Sequence, residues 1–467
     1  MMLQIQKKQN YNFKSINKTL INKSLVALFA TGLFAVLANS SEITHKQDKK
    51  TLVKHIDSLS NEEYDKFILG RSFFKIPWVE APSATTARDG LGPLFNANTC
   101  NSCHPSNGRG NLYNENGSLS RSVIPKLSIP SKGLKEELEF LKTNPLIPEP
   151  TYGGQIAING TPDARFEAKP EIKFEELKVK FPDGEVDTIL KPTYVLNDLQ
   201  YGELHKDTII TFRIAPSLNG LGLIEDIPDE QILANADEFD KNKDGISGRV
   251  NYAYSPITKK KEIGKYSWKA NNTSLIHQTA DAAINDMGLT TTIFTEDRCT
   301  DKQIACKEAP KARHKIDLPD SRLQAIDFYI KKRQTYSAKK DDSYKKGLKL
   351  FKSIGCADCH KESFTTKSGI NISPFTDLLL HDMGEGLADG RTEFSASGSE
   401  WRTPTLWGLS LHEKINGKKP RLLHDGRARD FQEAILWHDG EAKASKEAYT
   451  HLPKEKRKKL IQFLERL

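Results

Sequence analysis

The sequence predicts a mainly α-helical fold made of two domains, each built around one copy of the same short motif. The motif Cys-x-x-Cys-His begins at Cys100 and occurs again at Cys356. Apolar residues recur at helical spacing before and after the motifs, which predicts helices packed around them. A long insertion separates the first motif from the helix that closes the first domain, and we expect it to contain a small β-hairpin.

Length and composition describe an ordinary globular protein. The chain has 467 residues, of which 37% are hydrophobic and 28% charged. Such values are typical of soluble domains, and the length suffices for about three domain-sized units. A disulfide-stapled mini-protein, a disordered chain and a protein with many membrane spans are therefore excluded.

The first 38 residues have the composition of a secretory signal peptide. Five lysines and no acidic residue accompany an apolar run from Leu25 to Leu37, which is too short to span a bilayer. Val36 and Ala38 are small residues at cleavage spacing, so we expect cleavage after Ala38. The mature protein would then be periplasmic, secreted across the inner membrane, with no membrane span; an uncleaved anchor is the alternative. Most of the net charge of +8 leaves with the signal, and no nucleic-acid-binding face is expected.

The repeated motif is the pattern for covalent attachment of c-type haem. Two thiols three positions apart can each form a thioether with one haem, and the adjacent histidine then reaches the iron. The motif therefore predicts two covalently bound haems. A redox disulfide or half of a zinc site would leave the histidine after each cysteine pair unexplained. The predicted haem-binding residues are Cys100, Cys103, His104, Cys356, Cys359 and His360, with His104 and His360 as axial ligands.

Four segments follow from these patterns: a signal peptide at 1–38, a polar tether at 39–58, an N-terminal haem domain with its insertion at 59–340, and a C-terminal haem domain at 341–467. The last segment has the pattern of a small cytochrome c. Its first helix carries Tyr344, Leu348 and Phe351, its last helix carries Leu460, Phe463, Leu464 and Leu467, and we expect the two helices to cross.

The N-terminal domain is less regular in sequence. Tyr64, Phe67 and Ile68 mark an opening helix, and Leu323, Ile326 and Ile330 mark a closing helix. Between them, residues 151–203 alternate apolar and polar side chains across a Pro-Asp-Gly turn at 182–184, which predicts the β-hairpin. We interpret this insertion as a wall of the functional site.

Two smaller features also predict structure. Cys299 and Cys306 are an even pair in an oxidising compartment, so we expect a short-loop disulfide; a reactive thiol pair is the alternative. Asp240, Asn242 and Asp244 precede Gly245 with the spacing of the first half of an EF-hand loop, which predicts a calcium site. The twelfth position is Asn251 rather than glutamate, and an ordinary polar turn is the alternative.

Further segments of the sequence form recognisable motifs: DGLGPLFN (89–96), GRG (108–110), RIAPSLNGLGLIE (213–225), WKA (268–270), DMG (286–288), FTDLLLHDM (375–383), WRTP (401–404) and LHDGRA (423–428). With these segments the chain resembles the di-haem oxidoreductase family of peroxidases, also called thiol oxidoreductases. The resemblance runs from about residue 65 to the C-terminus, and it is distantly shared with bacterial di-haem cytochrome c peroxidases.

The resemblance implies an enzyme whose N-terminal haem reduces hydrogen peroxide while its C-terminal haem receives electrons. An electron-donor cytochrome or cupredoxin would be the partner. Arg213 and Glu225 lie in the segment that resembles the family's distal wall, where a charge and a proton-transfer group are needed; Gln278 could donate a hydrogen bond. A non-enzymatic electron carrier and an oxidase of a thiol or protein substrate are the alternative functions.

The sixth iron ligands separate these alternatives, because a haem with an open position can bind peroxide. Relatives hold the C-terminal iron through a residue about a dozen positions after a His-Asp-Gly turn, and His438 matches that position. Met383 is the competing ligand. No familiar motif supplies a sixth ligand to the first haem, which predicts an accessible iron. Met287 is a conceivable thioether ligand, but we interpret it as a core residue. For electron transfer between the haems, the candidate residues are Trp78, Trp268 and Trp401.

Overall fold

Glu42–Leu467 forms one compact unit in the computed structural model, which describes these residues only. The predicted signal peptide lies outside the described residues. The fold mixes 29% helix with 20% strand, so the prediction of a mainly α-helical protein is wrong. Many short strands pair residues that are far apart in the chain, and local sequence patterns carry no signal for such pairing.

Thirteen α-helices occur among the described residues, and most are short. They are α1 (Asn61–Lys75), α2 (Cys100–Cys103), α3 (Lys135–Phe140), α4 (Leu221–Glu225), α5 (Asp229–Leu233), α6 (Leu275–Met287), α7 (Ile304–Glu308), α8 (Asp320–Lys331), α9 (Asp342–Ser353), α10 (His412–Asn416), α11 (Phe431–Trp437), α12 (Lys443–Thr450) and α13 (Lys454–Leu464). Five 3₁₀ helices add Thr51–Val53, Pro105–Asn107, Cys356–Asp358, Leu409–Leu411 and Gly440–Ala442.

The described strands form eight two-stranded sheets. In chain order they are β1 (Ile43–Thr44), β2 (Val79–Glu80), β3 (Asp89–Leu91), β4 (Leu94–Phe95), β5 (Val123–Ser128), β6 (Asn159–Gly160), β7 (Lys169–Lys180), β8 (Val186–Asn197), β9 (Ile209–Ile214), β10 (Tyr252–Ser255), β11 (Lys260–Ile263), β12 (Thr335–Tyr336), β13 (Phe364–Thr365), β14 (Asn371–Ile372), β15 (Leu380–Asp382) and β16 (Glu400–Arg402). The pairs β1 with β12 and β2 with β3 are parallel, and the other six pairs are antiparallel.

The predicted β-hairpin is the longest sheet. Strands β7 and β8 pair over twelve residues each, from Lys169 opposite Asn197 to Lys180 opposite Val186. Gly184 has a φ of 89° in the connecting turn, a conformation that favours glycine. Phe181 and Ile189 are buried in the apolar core of the C-terminal region. The hairpin therefore packs against the C-terminal region, and no residue of 151–203 lines the cavity of the first motif.

Both predicted helix pairs form the cores around the motifs. α1 begins with a capping box in which Ser60 and Glu63 bond each other's backbone amides, and it packs against α8 through Phe67 and Tyr329, whose ring centroids are 4.9 Å apart. α9 crosses α13, with 5.7 Å between the centroids of Phe351 and Phe463. A side chain at Gly347 would meet Phe463, so glycine permits this close crossing.

The two predicted haem domains share their cores in the structure. Phe364, Ile370 and Ile372 lie after the expected boundary near 340, yet they belong to the core that surrounds α1 and α8. The segment expected to be a tether is also packed: Leu52 is 1% exposed and clusters with Tyr336 and Leu411. The regions 42–58 and 335–338 are thus built into the compact unit.

Cys299 and Cys306 form a disulfide, as predicted. No helix among residues 42–467 is both long and apolar enough to span a bilayer.

Candidate functional site

The first Cys-x-x-Cys-His motif opens onto a cavity of about 260 Å³. α2 is a single turn capped by Thr99, whose hydroxyl accepts the backbone N–H of Ser102 at 3.0 Å. This turn places Cys100, Cys103 and His104 on the cavity lining. Neither cysteine is in a disulfide, and burial raises the pKa of Cys100 to about 12. The pair is therefore held as two thiols facing one cavity.

His104 is oriented by the backbone. Its Nδ1 lies 2.8 Å from the carbonyl oxygen of Pro216, which makes Nδ1 the protonated nitrogen. Burial lowers the pKa of His104 to about 4, so the ring is neutral at physiological pH. A neutral imidazole with Nδ1 engaged leaves Nε2 as the free ligand atom, the arrangement that metal-binding histidines use.

The second motif repeats this geometry at a cavity of about 200 Å³. Gly355, with a φ of 82°, turns the chain into the 3₁₀ helix Cys356–Asp358, and a side chain there would meet the Ser445 hydroxyl. His360 Nδ1 lies 2.9 Å from the carbonyl oxygen of Phe375, and burial lowers the pKa of His360 to about 4. Cys356, Cys359 and His360 all line the cavity.

His438 lies on the lining of the second cavity together with His360. It caps the C-terminus of α11, and its Nδ1 is 2.7 Å from the carbonyl oxygen of Ala434. Burial lowers the pKa of His438, so its Nε2 is also available as a neutral ligand atom. Met383 lines the same cavity, and the structure brings both candidate sixth ligands to it.

The first cavity has a different set of candidate ligands. Among the described residues on its lining, His104 is the only histidine and Met287 the only methionine. Met287 is 4% exposed and belongs to the surrounding apolar core. The structure thus brings no second histidine to this cavity.

A family model described as "di-haem oxidoreductase, putative peroxidase" matches residues 41–467. This chain belongs to that di-haem oxidoreductase family. No curated protein matches the chain significantly. A solved structure of Kuenenia stuttgartiensis hydrazine synthase, pressurised with xenon, aligns at 19% identity over 32% of this chain and 55% of its own, with a TM-score of 0.23. The chain spans about half the length of that structure, and so low a score supports no argument.

The residues present fit the two haems that define the di-haem oxidoreductase family. Each cavity has two unpaired thiols beside a histidine whose Nδ1 is already bonded, and each lining is largely apolar. Cys100, Cys103 and His104 would hold one haem, and Cys356, Cys359 and His360 the other.

The two cavities of this di-haem oxidoreductase share a wall. Trp268, Arg109 and Arg402 line both cavities, whereas Trp401 lines only the second and Trp78 only the first. Trp268 donates its indole N–H to the carbonyl oxygen of Ile214 at 3.1 Å, which fixes the ring. Of the three candidate tryptophans, Trp268 alone touches both cavities.

The predicted catalytic residues are separated by the structure. Arg213 and Gln278 line the first cavity, but Glu225 does not. Glu225 lies 2.5 Å from the Lys331 ammonium and accepts the backbone N–H of Leu275, so it supports the start of α6. Glu225, predicted as a catalytic residue, therefore lies outside the cavity lining and contacts α6 and Lys331 instead.

Arg213 is held by two carboxylates, Asp389 and Glu393, of which Glu393 also lines the first cavity. Its guanidinium lies 2.9 Å from Asp389 and 2.7 Å from Glu393, and all three side chains are buried. Because its charge is already neutralised, Arg213 has less electrostatic influence on the cavity than an unpaired guanidinium would have.

Lys126 and Asp286 also line the first cavity, and the sequence predicted neither as a site residue. Lys126 donates to Gln155, and Gln155 donates to the Asp286 Oδ1 at 2.8 Å. Burial lowers the pKa of Lys126 and raises that of Asp286. Asp286 stands on the face of α6 that also presents Gln278 and Ala282 to the cavity. The four-residue spacing of these three positions was the available signal.

The proposed calcium loop forms a turn stabilised by its own backbone. Asp240 accepts the N–H of Gly245, Asn242 accepts that of Asp244, and Asp244 accepts that of Ile246. Asn242 also donates its amide to Asp244 at 2.9 Å. These contacts fit an ordinary Asx turn, and calcium binding stays a prediction.

Proposed function

We propose that this chain is a periplasmic c-type di-haem peroxidase that reduces hydrogen peroxide at its N-terminal haem. Two electrons and two protons would convert one hydrogen peroxide into two waters. The observation that carries the proposal is the asymmetry of the cavities: the second is lined by His360, His381, His424 and His438, whereas the first is lined by one histidine and a buried acid–base group. An iron with an open position binds a small oxidant.

Covalent attachment is the first component of this proposal. In each cavity the two thiols would add across the vinyl groups of one haem, and the following histidine would bind its iron through Nε2. A bound haem would supply an iron that exchanges electrons with the oxidant.

The protein's own contribution to peroxide reduction would be proton movement in the first cavity. Asp286 Oδ2 has no hydrogen-bond partner among the described residues, so it can accept a proton from bound peroxide and return it to the leaving oxygen. Lys126 would offset the negative charge of the ionised carboxylate, and Gln278 would orient the oxidant by hydrogen bonding.

Electrons would enter at the C-terminal haem from a donor cytochrome or cupredoxin and cross to the N-terminal haem. Trp268 stands in the shared wall and would shorten the gap between the two haems. Secretion fits the proposal, because residues 1–38 resemble a signal peptide and disulfides persist in oxidising compartments.

Mass and spectra of the purified holoprotein test this function. We expect the mature chain to carry the mass of two haems after denaturation, one ferric haem to be high-spin, and peroxide to change its spectrum rapidly. Two low-spin haems whose spectra do not change on addition of peroxide would instead favour an electron carrier. Met287 would then be the sixth ligand of the first iron. A chain without added haem mass would refute the proposal.

Replacing His438 with alanine is expected to convert the second haem from low-spin to high-spin. The reason is that His438 presents a free Nε2 to the cavity that also holds His360. Electronic absorption and electron paramagnetic resonance spectra of the ferric protein measure the change. Met383→Leu is the matched control and should leave the spectrum low-spin. If Met383→Leu changes the spectrum and His438→Ala does not, the ligand is Met383.

A further inference from the structure

Two arginines in the shared wall have no carboxylate partner among residues 42–467. Arg109 donates to the carbonyl oxygens of Arg421 at 2.7 Å and Leu423 at 2.5 Å. Arg402 donates to the carbonyl oxygens of Ser267 at 2.9 Å and Thr403 at 3.1 Å. Both guanidinium groups line both cavities. Nη1 of Arg109 and Nη2 of Arg402 bond no described residue, so each guanidinium keeps free donors.

Other buried cations near the shared wall are paired with carboxylates. Arg213 is paired with two carboxylates, Lys269 lies 3.0 Å from Asp389, and Arg427 lies 2.7 Å from Asp425. Taking a cation out of water without a counter-ion is costly. Arg109 is 6% exposed and lies over the Trp268 ring, but it bonds no carboxylate among the described residues. Because Arg109 and Arg402 also line both cavities and keep a free nitrogen, they can donate to an anion bound there.

We propose that Arg109 and Arg402 bind the propionate carboxylates of the two haems, whose propionate edges would both face the shared wall. The inference rests on the proposed function, since it requires both haems. A guanidinium presents its donors in a planar fork that matches a carboxylate. The backbone contacts occupy Nε and Nη2 of Arg109 and Nε and Nη1 of Arg402, which leaves Nη1 of Arg109 and Nη2 of Arg402 free to donate to a carboxylate.

Because Arg109 and Arg402 lie in the shared wall, they would also influence the reduction potentials of the haems. A cation close to both haems stabilises the ferrous form of each relative to the ferric form, because reduction removes one positive charge. Each arginine would therefore raise the reduction potentials of both haems together and favour electron transfer into the protein.

Spectroelectrochemical titration of purified holoprotein tests the inference. Arg109→Gln and Arg402→Gln should each lower the midpoint potentials of both haems, and Arg109→Lys, which keeps the charge but loses the fork, should lower them less. The control is Arg457→Gln: Arg457 is also buried, but it pairs with Asp183 and Glu185 and lines neither haem cavity. It should leave both potentials unchanged.

A second measurement keeps the inference testable if the glutamine variants do not fold. The resonance Raman propionate bending bands of wild type and of Arg402→Lys should differ, because these bands report the hydrogen bonds of the carboxylates. Unchanged potentials in both glutamine variants, or unchanged bands in the lysine variant, would overturn the inference while leaving the peroxidase proposal intact. Wild-type protein without haem would instead refute the proposed function itself.

Discussion

Replacing Asp286 with asparagine is expected to lower the rate of peroxide reduction about 100-fold or more, a typical cost of removing a general acid–base group. Asparagine keeps the shape of the side chain and its contact with Gln155 but cannot carry a proton. Burial raises the pKa of Asp286, and Lys126 and Gln155 only partly oppose that shift. Steady-state rates with a reduced donor measure the effect.

The pH dependence of the rate shows whether Asp286 acts in its ionised form. To accept a proton from peroxide the carboxyl must be ionised, so the wild-type rate should rise as pH increases through its raised pKa. Asp286→Asn should lack this rise. A variant that keeps both the rate and the rise would exclude Asp286 as the proton acceptor.

Glu225→Gln is the matched control, because it makes the same chemical change at a carboxylate outside the cavity. We expect the turnover rate to change less than threefold, with some loss of stability from the weakened contact with Lys331. A large loss of turnover in Glu225→Gln together with a normal Asp286→Asn would restore the catalytic role that the sequence suggested for Glu225.

The local features of this protein could be predicted from its sequence, and the long-range ones could not. The α9–α13 crossing and the hairpin β7–β8 follow from periodicity and turn residues that lie within short windows. Strand β1 pairs with β12 nearly three hundred residues away, and nothing in two adjacent residues signals that partner. The same limit explains why the sequence predicts a mainly α-helical fold while the structure contains many short strands.

The site shows the same division. Cys-x-x-Cys-His predicts both haem attachments, because covalent attachment needs those residues at that spacing. The sequence does not distinguish the roles of the acids Glu225 and Asp286, and only the tertiary structure shows that Glu225 contacts a lysine while Asp286 lines the cavity. Likewise, only the structure shows that Arg213 pairs with two buried carboxylates whereas Arg109 bonds carbonyl oxygens.

Replacing Arg213 with methionine is expected to lower the free energy of unfolding by ~3–5 kcal/mol, as the loss of one partner from a buried ion pair does. Asp389 and Glu393 would lose the guanidinium that lies 2.9 and 2.7 Å away. Urea unfolding at pH 7 measures the change. Lys142→Met removes an exposed pair with Glu139 and should cost less than about 1 kcal/mol.

Acid unfolding should reveal the same loss. Burial alone would raise the pKa of Asp389, but the charges of Arg213 and Lys269 lower it from 3.8 to about 2. A lowered carboxyl pKa contributes stability above pH 4, and that contribution disappears as pH falls from about 4 towards 2. Without Arg213 the pKa of Asp389 rises, so the variant should unfold at a higher pH than wild type. Normal stability with a large loss of turnover would contradict this structural role and make Arg213 a catalytic residue.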